Sequence, residues 1–337
     1  VKNVFVFCEV EDGQILDISL ELTSKARKLA TQLGVKLETV VIGHNLENIE
    51  QQLYPYGVDV VHVADDKKLE HFLTLPYAHL VIELFQKEQP QIVLFGASTI
   101  GRDMAPRVAS ALRCGLTADC TSLEIGEHYE KKTDTHYPAL LYQIRPAFGG
   151  NIIATIINPD MWPQMATVRE GVMKKEILDV AHKGTKNMLD TKLPAELFAV
   201  EIIERHVEKS KVNLKNAHII VAGGYGVGSK ENFQLLQELA EVLGADIAGS
   251  RAAVDAGFIE HSRQVGQTGV TVRPRLYIAV GISGAVQHRA GMDQSSMIIS
   301  VNTDPHAPIN QIADYTIIGD VAEVIPRMIK YYRKHMK

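Results

Sequence analysis

With 337 residues, the chain is longer than one hydrophobic core usually organises, so two domains are the starting expectation. Hydrophobic residues make up 46% of it, which excludes a disordered chain, and the net charge of −5, from 35 basic and 40 acidic residues with no long basic run, weighs against a nucleic-acid partner. The three cysteines, Cys8, Cys114 and Cys120, suit neither a disulfide framework nor a paired zinc site, and no apolar stretch reaches the ~18–20 residues of a membrane span. The chain opens on a strand-like run, VKNVFVFCEV, so no signal or transit peptide is expected and the expected setting is a soluble, reducing one, the cytoplasm.

Val4 to Val10 reads as the first strand. Asp17 is placed to cap a helix reaching Leu33, with Ile18, Leu22, Leu29 and Leu33 on one face and Gly34 as its stop. Strands follow at Leu37 to Ile42 and Val58 to Val63, then a helix from Pro76 to Gln89 with proline near its first turn. A fourth strand, Ile92 to Phe95, runs into Gly96-Ala-Ser98-Thr-Ile-Gly101-Arg102, a small-residue turn opening a helix that ends at Leu112. This alternation means βαβ units and a mainly parallel sheet. From about Leu116 the helices stop. Leu140 to Ile144, Ile152 to Ile157 and Ala166 to Arg169 are short strand candidates with no helix between them, expected as an antiparallel extension. Residues 175–215 are charged, and Ile202 to Lys211 reads as a solvated strand. The boundary falls within residues 190–212, where apolar periodicity is weakest, giving an N-terminal α/β domain over 1–205 and a doubly wound α/β domain over 206–337.

The second domain starts with a strand from His218 to Ala222, followed by Gly223-Gly-Tyr-Gly-Val-Gly228. A helix then runs from Lys230 to Leu243 with Phe233, Leu236, Leu239 and Leu243 inward. Asp246 to Gly249 is a short strand, and a long polar stretch reaches Val272. Leu276 to Val280 is a buried strand, and Gly281, Ser283 and Gly284 turn the chain into a short helix from Ala285 to Ala290. Met297 to Val301 and Tyr315 to Ile318 are further strands, and Val321 to Tyr332 is a closing amphipathic helix.

Two glycine turns are candidate ligand sites. The turn after Val280 lies at the carboxyl end of a strand and the start of a helix, where unpaired N–H groups favour an anion. Gln287 and His288 lie within its first turn or so. The turn at 223–228 does not match G-x-G-x-x-G at both ends, and it reads either as a nucleotide contact or as a tight turn packing helix on sheet. Where a ribose-binding carboxylate would stand, the chain has Ser250-Arg251, and arginine suits a phosphate or an anionic ring better than a hydroxyl. Gly266-Gln-Thr-Gly269 reads as a surface turn or as a loop whose backbone approaches a flat ligand, with the Thr268 hydroxyl facing a ring atom. No Ser/His/Asp elbow and no metal-ligand spacing is present.

LYIAVGISGAVQHRAG at 276–291, with GSRAAVDAG at 249–257 and QVGQTG at 264–269, resembles the α subunit of electron-transfer flavoproteins, and the resemblance covers the whole chain. It implies an N-terminal α/β domain at a subunit interface, a C-terminal FAD-binding domain, and a heterodimer with a β subunit. Position by position, it implies that Ser250 and Arg251 lie beside the flavin and diphosphate, and that Val265, Gly266, Gln267 and Thr268 line the isoalloxazine, with Thr268 near N5. It further implies that Ser283, Gly284, Ala285, Val286, Gln287 and His288 hold the diphosphate and ribityl chain, with His288 near the flavin O2, and that Asn302 and Asp320 face the adenosine half. The chain departs from the family at Tyr225, where many relatives carry arginine; tyrosine there stacks or hydrogen-bonds instead.

GLTADCT at 115–121 and IRPAFGGN at 144–151 resemble the electron-bifurcating subgroup. That resemblance implies a second FAD and NADH in the β subunit, where other members hold AMP, with Arg145 approaching the second flavin; the plain alternative pairs Arg145 with an acidic neighbour in its own domain. The implied role is an electron carrier, active as an oxidoreductase only in the heterodimer. It delivers electrons to an acyl-CoA dehydrogenase and, when bifurcating, to ferredoxin or flavodoxin. The competing readings are a non-bifurcating carrier with AMP in the β subunit, an NAD-dependent dehydrogenase, which needs a cleft acid or base not evident here, and a non-catalytic adenine-nucleotide sensor.

Overall fold

The structure, a computed structural model, describes residues 2–146, 153–205 and 214–335. It divides into two compact units, Val1–Arg205 and His206–Lys337. Ala147, Phe148, Gly149, Gly150 and Asn151 of the IRPAFGGN segment lie outside the described residues, as do Ile152 of the next expected strand and the 206–211 part of the strand expected from Ile202. Residues 202–205 are exposed and irregular rather than extended into a ladder.

The first unit is built on seven parallel strands. Their spatial order is Thr185–Met188, Val60–Asp65, Leu37–Gly43, Lys2–Cys8, Pro90–Gly96, Gln164–Val168, Leu116–Cys120. The central strands are apolar on both faces, as a sheet covered on both sides requires. Val4 and Val6 enter one core with Leu22, Ala26 and Leu29 of α1 (Asp17–Leu33). Phe5 and Phe7 enter the other with α2 (Thr74–Glu88) and α3 (Thr99–Leu112).

Two expectations need correction. Asp17 does not cap α1: Leu16 holds the cap position, and Asp17 is the first helical residue, its carboxylate 2.8 Å from Lys175 Nζ. A carboxylate in the first turn favours the helix start through the dipole without accepting a capping hydrogen bond. The segment from Ala166 is not an antiparallel extension either. Gln164–Val168 runs parallel between Pro90–Gly96 and Leu116–Cys120, and all five of its residues are buried, which an interior strand of a covered sheet needs. The antiparallel part is a separate sheet of Ser122–Glu130, Thr135–Pro146 and Ile153–Ile156.

In the second unit five parallel strands take the order Asp246–Gly249, Ile219–Gly223, Leu276–Val280, Ile298–Asn302, Tyr315–Ile318. The chain goes from Ile219–Gly223 to one neighbour and then returns to the other side, so the order reverses between Ile219–Gly223 and Leu276–Val280. Open α/β sheets bind ligands at the carboxyl ends beside such a reversal. One face is covered by α4 (Lys230–Leu243) and α7 (Val321–His335), which supply Phe233, Leu236, Ile325 and Ile329. The other face is covered by loops and short turns carrying Val265, Val272, Ile282, Met292 and Ile309. Helix α4 has local signals at both ends: the Ser229 hydroxyl accepts from Asn232 N at 3.2 Å, and Gly244 closes it at φ 63°. Among the described residues no helix is long and apolar enough to cross a membrane.

Candidate functional site

The loops at the carboxyl edge of the second sheet surround a cavity of about 800 Å³, within the range of small-molecule sites. Its walls come from four segments, each positioned by backbone bonds to a strand end.

The first segment is the glycine turn after Gly223. Gly224 N donates to Val280 O at 2.8 Å and Gly226 N to Gly281 O at 3.0 Å. A Cβ on Gly224 would collide with the Gly281 carbonyl. These glycines let the two turns touch, and Gly226 also lines the cavity, while the packing of helix on sheet falls at Gly223, where a Cβ would strike Phe233. Tyr225 projects from this contact, 66% exposed, with its ring stacked on Phe258 at 6.0 Å.

The second segment follows Gly249. Ser250 N donates to Gly223 O at 2.9 Å, and the Ser250 hydroxyl accepts from Ala253 N, capping α5 (Arg251–Asp255). The Arg251 side chain is 69% exposed, 3.5 Å from Asp255.

The third segment is the Gln264–Gly269 loop. It is held by Val265 N to Gly249 O at 2.9 Å and by Gln267 N to Gln287 O at 2.7 Å. Buried Gln264 donates from Nε2 to Thr268 Oγ1 at 3.0 Å. That hydroxyl accepts there and keeps its proton for another acceptor.

The fourth segment is the turn from Gly281 into α6 (Val286–Arg289). Gly284 sits at φ 85°, and a Cβ there would strike the backbone of Ile309, whose N–H bonds Ser283 O at 3.1 Å. Glycine is the residue that meets both demands. The backbone N–H groups of Ser283, Gly284, Ala285, Val286 and Gln287 have no acceptor among the described residues. Adjacent unpaired donors of this kind attract an anion.

His288 closes the cavity floor, 7% exposed, with Nε2 3.0 Å from the hydroxyl of Tyr277. Its Nδ1 is buried and makes no well-aligned hydrogen bond, and the Val265 backbone acts on the ring. Burial drives its pKa down to about 4, partly offset by that backbone contact, so the ring is neutral at pH 7.

Of the residues singled out from sequence, Tyr225, Ser250, Arg251, Val265, Gly266 and Gln267 line the cavity, together with Thr268, Ser283, Ala285, Gln287, His288 and Asn302. Gly284 and Val286 shape the turn without forming its wall. Asn302 is occupied as a loop former, donating to Ile282 O at 2.9 Å and accepting from Asp304 N at 3.0 Å. Asp320 is exposed, off the wall, and accepts from Ala322 N at 2.8 Å at the start of α7. Gly226, Gly281 and Ile282 of the two glycine turns and Ala252 and Asp255 of the GSRAAVDAG segment also line the cavity, as do Gln264, Asp304, Ala307 and Pro308. Gln264 opens the QVGQTG segment and Asp304 follows Asn302 by two residues, whereas Ala307 and Pro308 arrive by a fold-back with no local signal.

Arg145 lies in the first unit, on the middle strand Thr135–Pro146 of the antiparallel sheet, close enough to a partly buried ion pair for its charge to act there. Arg169 meets Asp119 through Nη2 at 2.6 Å and Nε at 3.2 Å. Burial raises the Asp119 carboxyl, but the Arg169 hydrogen bonds and the charges of Arg169, Arg102 and Arg145 outweigh it and hold the group below the usual range. All three cysteines are free, and burial pushes their thiols up to about 12, 11 and 12 for Cys8, Cys114 and Cys120. Among the described residues no three His, Cys, Asp or Glu side chains are grouped to hold a metal ion.

The sequence matches the Electron transfer flavoprotein domain over residues 4–197 and the Electron transfer flavoprotein FAD-binding domain over residues 213–293. It is 46% identical to the electron transfer flavoprotein subunit alpha of Thermoanaerobacterium thermosaccharolyticum, over 99% of the chain and 98% of that relative. Protein FixB of Clostridium saccharobutylicum is 49% identical over 97% of the chain and 95% of its own length. The lactate dehydrogenase (NAD(+),ferredoxin) subunit LctC of Acetobacterium woodii is 39% identical over 97% of the chain and 76% of its own length.

Proposed function

The chain belongs to the electron transfer flavoprotein family as an α subunit, and from that premise we propose that its second unit holds one FAD and that it works in a heterodimer with a β subunit. In this reading it passes single electrons between a β-subunit flavin or NADH and an acyl-CoA dehydrogenase, with bifurcation to ferredoxin or flavodoxin. One observation carries the FAD assignment: the FAD-binding match over 213–293 falls on the unit whose turn holds five donors with no acceptor among the described residues, beside a cavity of about 800 Å³.

The donor set suits the cofactor. A diphosphate needs N–H groups and positive charge, which Ser283 to Gln287 and Arg251 offer. An isoalloxazine needs an apolar bed and a few directed donors, which Val265, Gly266, Thr268 and His288 offer. FAD, when bound, supplies stepwise electron chemistry that no side chain provides. The protein's part is to bind, orient and exclude water. Thr268, its oxygen already accepting from Gln264, has a proton to give toward the ring edge at N5. His288 gives a neutral donor toward O2, and Arg251 a charged one. Tyr225 presents a stacked aromatic face at the cavity mouth, where an arginine would present charge. Asn302 borders the adenosine half; the capping bond of Asp320 explains that residue without FAD.

Bifurcation rests on GLTADCT, IRPAFGGN and the similarity to a subunit whose name joins NAD(+) and ferredoxin. Arg145, beside the Asp119–Arg169 pair, is the residue of this chain that would face a second flavin. Co-expression with the β subunit followed by a visible spectrum and a cofactor count tests the whole reading. Two FAD per heterodimer support bifurcation, one FAD with AMP supports simple transfer, and a colourless heterodimer that takes up no FAD overturns both.

A further inference from the structure

Tyr277 is the second residue of an apolar strand, 0% exposed, yet it carries a hydroxyl into the core. Among the described residues that hydroxyl meets one polar atom, Nε2 of His288, at 3.0 Å. Two proton arrangements fit the distance. In one, Nε2 carries the hydrogen and the phenol oxygen accepts. The phenol O–H then has no acceptor, a buried donor left unmade, which costs as much as a lost hydrogen bond. A doubly protonated ring leaves the same phenol proton stranded. In the other arrangement the phenol donates to Nε2 and that conflict disappears.

We infer that Tyr277 is a positioning residue: its hydroxyl donates to His288 Nε2 and fixes the imidazole as the neutral tautomer with its proton on Nδ1. Nδ1, buried and without a hydrogen-bond partner among the described residues, then carries the ring's one N–H beside the cavity that His288 lines. The pKa directions agree. Burial holds the phenol well above its ordinary range, so it remains a donor, and holds the ring down at about 4. Resting on the flavin reading, the consequence is that the ligand receives a directed hydrogen bond without a full positive charge, which leaves Arg251 as the charged contributor.

The lock itself is testable without flavin. Full-length chain labelled with 15N in histidine and prepared flavin-free is studied by NMR from pH 5 to 8, with His288→Gln identifying the His288 signals. The expected result is one neutral form, Nε2 bare and Nδ1 protonated, favoured by about tenfold, the ratio that one ordinary hydrogen bond sustains. In Tyr277→Phe that preference should collapse to a mixture of both tautomers. A wild-type ring protonated on Nε2 overturns the inference, and so does a Tyr277→Phe ring that keeps the wild-type pattern. If Tyr277→Phe does not fold, the wild-type tautomer decides alone. A second readout separates this claim from the cofactor reading: with the tautomer as stated, an unchanged flavin potential in Tyr277→Phe holoprotein counts against the His288–flavin contact and leaves the lock standing.

Discussion

The two units present the same edge and finish it in opposite ways. Each is a parallel sheet whose order reverses beside its first strand, and each has a small-residue turn feeding a helix there. In the first unit the space is filled from within. Glu9, 4% exposed at the end of Lys2–Cys8, accepts from the Ser98 hydroxyl at 2.7 Å, and Ser98 accepts from Gly101 N at 2.9 Å at the start of α3. Ala97 N donates to Val168 O at 2.7 Å and Gly101 N to the Ser98 hydroxyl, and an acidic side chain stands where an anion would need positive ends. In the second unit the corresponding turn, with five N–H groups that have no acceptor among the described residues, borders a cavity instead. A shared architecture does not make a site; unsatisfied polar groups around space do.

Predictions that probe this contrast run from large to small. Gly284→Val should be the most damaging, since a left-handed backbone and a collision with Ile309 combine. About 3–4 kcal/mol of second-unit stability should be lost, with flavin retention, while urea unfolding of the first unit keeps its midpoint. Retained flavin and two unshifted transitions would show that the turn is not what shapes the site.

The buried titrating groups should give the units opposite pH responses. His288, lowered from 6.5 to about 4, binds a proton in the unfolded chain that the fold refuses. The stability this contributes is complete above pH 6.5 and falls by about 3 kcal/mol as pH drops to 4. Glu9 behaves in reverse. Burial, with repulsion from Glu170, raises its pKa despite the Ser98 hydrogen bond. Its contribution is greatest below the ordinary carboxyl pKa of 4.5 and is lost as pH rises through the raised folded value. Denaturant titrations of flavin-free His288→Gln and of Glu9→Gln should each flatten one slope and leave the other unit's alone. Equal slopes in wild type and variant would remove the corresponding group from the account.

Arg251→Ala should be milder. A hydrogen bond to a charged group contributes about 1.5–3 kcal/mol, equivalent to about 65–130 mV for one electron. The guanidinium is 69% exposed in this chain, so the fall in the first flavin potential should lie at the lower end of that range or below it. A potentiometric titration showing no fall would place Arg251 outside the site's electrostatics.

What could be read beforehand was whatever the chain encodes locally. Helix α4 was legible to its last residue because Ser229, Gly244 and the spacing of Phe233, Leu236 and Leu239 all lie within sixteen residues. The turn from Gly281 to His288 was legible for the same reason. Gln164–Val168 was misread because its partner, Pro90–Gly96, lies some seventy residues away, and nothing in five apolar residues fixes strand direction. Ala307 and Pro308 join the cavity only through a fold-back, tied by Ile309 N to Ser283 O. Tyr277 looked like one more apolar residue of a strand; its bond to His288 exists because strand and turn meet in three dimensions.

The central claim is that the second unit, through the turn at 281–288 and the loop at 264–269, is a flavin cradle. Flavin absorbance per chain in the purified heterodimer, wild type against Gly284→Val, tests it most directly. The account predicts one FAD bound by this chain and its loss in the variant. A wild-type heterodimer that neither carries nor takes up FAD, or a variant as yellow as wild type, would contradict it.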